Sequence, residues 1–197
     1  MTGIFDYGMG NVRSVQKAME YLGERAVISG DLALLDRCDR LILPGVGSFG
    51  EGMEELKKRG LAGYIRMRAA GGPPILGICL GMQFLLEKSY EDGENEGLGF
   101  CKGDVVRFTQ GKVPQIGWNN VFSLRSPLFR GIPENTYFYF VHSYHARTSA
   151  EFSVATCNYY EDYAAAVWNG GSVYGTQFHP EKSGDAGLAL LRNFQQL

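Results

Sequence analysis

Four short apolar or β-branched runs, residues 2–6, 25–29, 40–43 and 74–79, constrain the fold more than anything else in this chain. The first three lead into stretches with helical spacing or turn residues. Val12, Val15, Met19 and Leu22 recur on one helical face behind Asn11, a side chain suited to capping a helix start, and "EGMEELKKRGLAGYIRMRAA" is a second amphipathic stretch. Strands alternating with helices call for an α/β fold, a mostly parallel sheet covered by helices on both faces. From about residue 98 the texture turns β-rich, in "LGFCKGDVVRF", "YFYFVHSYHA", "FSVATCNY" and "AAAVWNGGSVYGTQFH". Asn169-Gly170-Gly171 reads as a hairpin turn, and the closing "GDAGLALLRNFQQL" as a helix. No repeat, low-complexity tract or linker separates the halves, so the second is expected to extend the same sheet within one domain, residues 1–197.

A chain of 197 residues supports one good core and is too short for two comfortable ones. Its net charge of -2 gives no preference for nucleic acid or a membrane surface. "MTGIFDYGMGN" has neither a basic leader region nor a long apolar run, and no later stretch approaches the roughly 20 apolar residues of a membrane span, so a soluble, cytoplasmic protein is expected. Cys38, Cys79, Cys101 and Cys157 lie far apart with no C-x-x-C pair, which suggests reduced thiols and no metal site.

One of those thiols stands at a corner. In "PPILGICLGMQFLLE" a strand-like segment passes into a helical one through Gly77-Ile78-Cys79-Leu80-Gly81, the form of a nucleophile elbow with cysteine as the nucleophile. The two glycines allow the backbone to approach closely at a tight turn, which thrusts the central side chain outward, and the dipole at a helix start favours thiolate. A reactive cysteine needs a base. In "YGTQFHPEKS", His179 ends a strand and Glu181 follows two positions later; in an extended backbone, which Pro180 favours, the two side chains share a face and the carboxylate can orient the imidazole. His142 and His145, within the aromatic "YFYFVHSYHA", suit core or hydrogen-bonding roles better than that of a base. Thiolate attack on an amide carbonyl also needs N–H donors for the developing oxyanion. "LILPGVGSFG" ends a strand in Pro44-Gly45-Val46-Gly47 and can aim N–H groups from Val46 and Gly47, with Leu80, the residue after the thiol, as another donor.

Gly8-Met9-Gly10 follows the first strand as a dinucleotide fingerprint would, but Arg13 stands where the third glycine belongs, and there is no phosphate-binding lysine motif. Neither NAD nor ATP is expected, and no cofactor is implied.

"PGVG", "GICLGMQ" and "TQFHPEKS", in that order and spacing, resemble the class I (triad) glutamine amidotransferases. The resemblance implies a central mostly parallel sheet flanked by helices and a catalytic triad of Cys79, His179 and Glu181. Further segments, "DYGMGNVRSVQKAMEYLG", "KVPQIGWN" and "YFYFVHSYHA", resemble the glutaminase subunits of imidazole glycerol phosphate synthase over essentially the whole chain. That family implies hydrolysis of glutamine, with ammonia passed to a separate (β/α)8-barrel cyclase subunit that forms imidazole glycerol phosphate and AICAR in histidine biosynthesis. By the same resemblance Gln83, Glu91, His142, Ser143 and Tyr144 contact the substrate. Asn11, Trp118 and Asn119 are expected at the partner interface. Gln115 departs from the family, where relatives often have His. The alternatives are a glutaminase serving anthranilate, aminobenzoate or pyridoxal phosphate synthesis, against which the N-terminal and "KVPQIGWN" segments argue, and a catalytically silent binding subunit, against which the intact Cys79, His179 and Glu181 argue.

Overall fold

The computed structural model describes residues 1–197. The four apolar runs form β1 (Thr2–Phe5), β2 (Ala26–Ser29), β3 (Arg40–Gly45) and β4 (Ile75–Cys79). Between and after them come α1 (Val12–Tyr21), α2 (Leu32–Leu35), α3 (Phe49–Lys58), α4 (Leu61–Ala69) and α5 (Leu80–Gln83). Side chains alternate across these strands and so feed two cores. Phe5, Leu41 and Leu43 face the core that α3 and α4 cover with Met53, Leu56, Leu61 and Ile65. Ile4, Ile42, Leu76 and Ile78 face the other, which is covered by Val15 and Met19 of α1 and by Leu190, Leu191 and Phe194 of the last helix, α6 (Gly184–Gln195).

The remaining strands are β5 (Leu86–Ser89), β6 (Asn95–Glu96), β7 (Cys101–Arg107), β8 (Gln115–Phe122), β9 (Thr136–His142), β10 (Tyr144–Arg147), β11 (Ser153–Tyr159), β12 (Glu161–Trp168) and β13 (Val173–Thr176). All strands join one sheet in the order β2-β1-β3-β4-β13-β12-β10-β7-β5-β6, with β11 pairing β12 and β8, and β8 pairing β9. The five strands from β2 to β13 are mutually parallel, and β13 reaches the sheet centre by running alongside β4. The β-rich half therefore extends the same sheet, as the sequence predicts. The hairpin turn joins β12 to β13, where Asn169 Oδ1 accepts from the N–H groups of Gly171 and Val173.

Several local expectations need correction. The amphipathic stretch from Glu51 is two helices, because Gly60 adopts a left-handed φ of 72° between α3 and α4. The helix after Cys79 is only four residues long, so its dipole can contribute little to the thiol. Asn11 stands at the N-cap of α1, yet its side chain makes no capping hydrogen bond. Pro180–Lys182 is a 3-10 turn rather than extended chain, since Pro180 also suits the first position of a helical turn.

Candidate active site

β4 ends in a strained residue. Cys79 has φ 56° and ψ -110°, a conformation that costs a non-glycine residue roughly 1–3 kcal/mol and is held only where the surroundings enforce it. Enforcement comes from both flanks. A Cβ on Gly77 would lie 2.5 Å from the Gly81 carbonyl oxygen, and one on Gly81 would overlap the Leu43 carbonyl oxygen of β3. The chain can therefore turn tightly over β3 only with glycine at both positions, and the turn presents the Cys79 side chain to a cavity of about 340 Å³.

His179 reaches that cavity from the end of β13, the strand paired in register with β4. Its N–H donates to Tyr139 O at 3.0 Å. Ser183 Oγ donates to His179 O at 2.6 Å and accepts from Tyr139 N at 3.0 Å, which locks the turn to β9. The 3-10 turn achieves what an extended backbone was expected to do, since His179 Nδ1 and Glu181 Oε1 are 2.8 Å apart with both side chains buried. With Nδ1 donating to the carboxylate, Nε2 is left for the cavity side; it makes no hydrogen bond of its own. Burial alone would lower the His179 pKa, but the Cys79 thiol and the Glu181 carboxylate outweigh it and raise it to about 10. Because Nε2 has no bonded partner, Cys79 acts as a nearby group able to carry negative charge, which favours the protonated imidazole.

Val46, Gly47 and Leu80 line the cavity beside Cys79. Gly47 has a left-handed φ of 96°, and the loop after β1 packs on this turn, with Met9 against Gly47 and Gly10 against Pro44. Gln83, Glu91, His142, Ser143 and Tyr144 also line it, so every substrate contact expected from sequence falls on one wall or another. Their chemistry differs in ways the sequence did not reveal. Glu91 Oε2 accepts from Phe49 N at 2.7 Å, so this carboxylate caps α3. Desolvation raises its pKa, against that hydrogen bond. His142 is tied internally, Nδ1 donating to Tyr144 O at 2.8 Å, with Nε2 3.3 Å from the Tyr163 hydroxyl, whose one hydrogen goes to Gln115. Burial pushes its pKa down to about 3, so the ring stays neutral.

Gln177, Pro114, Val141 and Lys182 were missed. The last three line the cavity, and Gln177, fully buried on β13's C-terminal side, stands directly behind the thiol, its Nε2 3.7 Å from Cys79 Sγ. Only the strand-end position of Gln177, two residues before His179, could have signalled it.

The three expected interface residues lie outside the cavity lining. Trp118 is 56% exposed on β8 and packs edge-on against Tyr139 of β9, the residue that anchors His179. Ile116 and Tyr137 are exposed on the same hairpin. Asn119 is committed within the chain, donating to Asn158 O at 2.9 Å and accepting from Asn120 N. Asn11 follows the loop that packs on Pro44 and Gly47. Gln115 is buried and accepts from the Tyr163 hydroxyl at 3.0 Å, a place in the layer beneath His142 and not on the surface.

A cysteine elbow and a carboxylate-held histidine share one cavity at the centre of the sheet, and the chain belongs to the class I glutamine amidotransferases: the family model described as glutamine amidotransferase class-I matches residues 4–196. Among individual proteins, the chain is 49% identical to imidazole glycerol phosphate synthase subunit HisH of Methanosarcina barkeri, over 97% of this chain and 96% of that one. It is likewise 49% identical to the protein of the same name from Sulfurimonas denitrificans, over 98% and 97% of the two chains. Among solved structures, PurLQS from Thermotoga maritima superposes with a TM-score of 0.79 at 22% identity, over 99% of this chain and 97% of that one, a likeness of fold.

Proposed function

We propose that this chain is the glutaminase subunit of an imidazole glycerol phosphate synthase and that Cys79, His179 and Glu181 are its catalytic triad. The observation that carries the triad is the strained Cys79 sharing one cavity with the free Nε2 of a histidine whose other nitrogen is held by Glu181. The near-full-length likeness to HisH proteins carries the choice of pathway.

The side-chain carboxamide of glutamine enters the cavity and Cys79 Sγ attacks its carbon as a thiolate, its proton held on His179 Nε2. N–H groups of Val46, Gly47 and Leu80 stabilise the oxyanion as it forms. Collapse of the tetrahedral species breaks the C–N bond, His179 returns the proton to the leaving nitrogen, and a glutamyl thioester remains. Water, activated by His179, then releases glutamate and restores the thiol, while Glu181 keeps the imidazole in one tautomer throughout. Glu91 offers a carboxylate for the substrate's ammonium group, and Gln83 a carboxamide oxygen. Ammonia passes to a (β/α)8-barrel cyclase subunit docked over the rim formed by Asn11 and by the exposed Trp118, whose apolar neighbours Ile116 and Tyr137 give the hairpin an anchoring surface.

The test is reconstitution with a cyclase subunit. Cys79→Ala is expected to abolish glutamine-dependent synthesis while high ammonium still supports it, because only the nucleophile is removed. Equal loss of both activities shows that Cys79 serves folding or assembly instead.

A further inference from the structure

A short chain of buried amides connects the cavity wall to the thiol, and its polarity is fixed by its first member. Tyr144 O can only accept, so the Gln83 carboxamide must turn its nitrogen towards it, at 2.9 Å. The second N–H of the same nitrogen points at Gln177, 3.0 Å away, so Gln177 must present its oxygen there. That choice leaves the Gln177 nitrogen facing Cys79 Sγ at 3.7 Å. Swapping either amide end for end would set N–H against N–H or carbonyl against carbonyl inside a dry interior, so the three bonds define one another. Val141 O also lies 3.9 Å from the sulfur and can only accept, which suits a thiol and not a thiolate.

We infer that Gln177 is a further member of the catalytic group, donating an N–H to the Cys79 sulfur and thereby favouring its thiolate, and that Gln83 is the positioning residue that holds Gln177 in that orientation. A donor to sulfur stabilises the ionised form, whereas the Val141 carbonyl stabilises the protonated one. A protonated sulfur can donate to Val141 O, whereas an ionised sulfur facing a protonated His179 keeps the Gln177 contact alone. The same network leaves the Gln83 oxygen as the part of that carboxamide open to a ligand, so Gln83 can recognise a donor, such as an amide or ammonium group, and not an acceptor. This inference rests on the reading of Cys79 as the nucleophile.

The experiment follows alkylation of Cys79 in the full chain by iodoacetamide, a small carboxamide, across pH, with the modified peptide identified by mass spectrometry to separate it from the other three cysteines. In Gln177→Met, close in volume, the pH of half-maximal rate is expected to rise by about one unit, a tenfold smaller thiolate fraction on the acid side. Gln177→Glu, isosteric and able to fold if methionine is not accepted, should move it further, because a carboxylate beside sulfur opposes a second negative charge. Gln83→Met should move it in the same direction by less. A merely structural role predicts a lower plateau rate with the midpoint unmoved. Midpoints within about 0.2 unit of the unmodified protein in both Gln177 variants, well below the one-unit change expected, overturn the inference. Cys79→Ala is assayed alongside: if it keeps glutaminase activity, the nucleophile reading fails, and if it loses that activity while the Gln177 midpoints stay put, only the role of Gln177 falls.

Discussion

His179 and His142 show how the same side chain is set to opposite tasks by what surrounds it. For His179 desolvation is overcome by Cys79 and Glu181, and its pKa rises to about 10, so its contribution to stability is complete below the unfolded value near 6.5 and is lost as pH climbs through about 10. For His142 burial dominates and the pKa falls to about 3, so the unfolded chain binds a proton first and stability is lost as pH drops from about 6.5 towards 3. His142→Gln, which cannot ionise, should flatten the acid limb of unfolding free energy against pH by up to about 1.4 kcal/mol per unit, measured by denaturant titration between pH 6.5 and 4. On the catalytic side, His179→Ala should reduce glutamine turnover as severely as Cys79→Ala. Glu181→Gln should keep roughly two orders of magnitude more activity, since an orienting group is lost and not a proton carrier. Steady-state glutamate release from the complex distinguishes these outcomes.

At the scale of elements, the elbow depends on backbone proximity. Gly81→Ala would drive a methyl group into the Leu43 carbonyl of β3, and a loss of more than about 3 kcal/mol in unfolding free energy is expected, because strand ends on both sides of the clash belong to the core. The elbow was legible in the sequence because its signal is local: two glycines around a nucleophile between a strand and a helix. The parallel half was legible for the same reason, as each strand carries its own apolar run. The chemistry of the cavity wall was less so. Glu91 as a helix cap, the His142 ring nitrogen committed to Tyr144 O, and the line from Tyr144 through Gln83 and Gln177 to sulfur all join residues between 42 and 98 positions apart, or depend on which atom of a side chain faces which neighbour. No spacing rule within one segment can report that. The misjudged backbone at Pro180 has a different cause, since proline's fixed φ fits both extended chain and the start of a helical turn, and only packing against α6, where Gly187 admits the Pro180 carbonyl, decides between them.

For the whole molecule the question is how a glutaminase avoids releasing ammonia with no acceptor at hand. The turn carrying Val46 and Gly47 rests on the Met9–Gly10 loop, which leads directly into Asn11 at the proposed docking rim. A partner bound there is in a position to set the oxyanion donors, so the isolated chain should hydrolyse glutamine slowly and the complex faster. Rapid hydrolysis by the single chain, unchanged by a cyclase and its ligand, contradicts this. Trp118→Ala should weaken cyclase binding by roughly tenfold to a hundredfold and lower the yield of product per glutamine consumed, with the thermal midpoint of the free subunit unchanged. Wild-type binding and coupling, or an unfolded free subunit, shows that the tryptophan has another role.

Cys79, the proposed nucleophile, ends β4, and His179, the proposed base, follows the end of β13; these two central strands pair Ile78 with Thr176. Their separation is thus set by the hydrogen bonds of the central ladder together with the bond from His179 N–H to Tyr139 O of β9. Amide protons of Ile78 and Gly77 should exchange with solvent deuterium only through global opening, and irreversible loss of activity on heating should coincide with that event and not precede it.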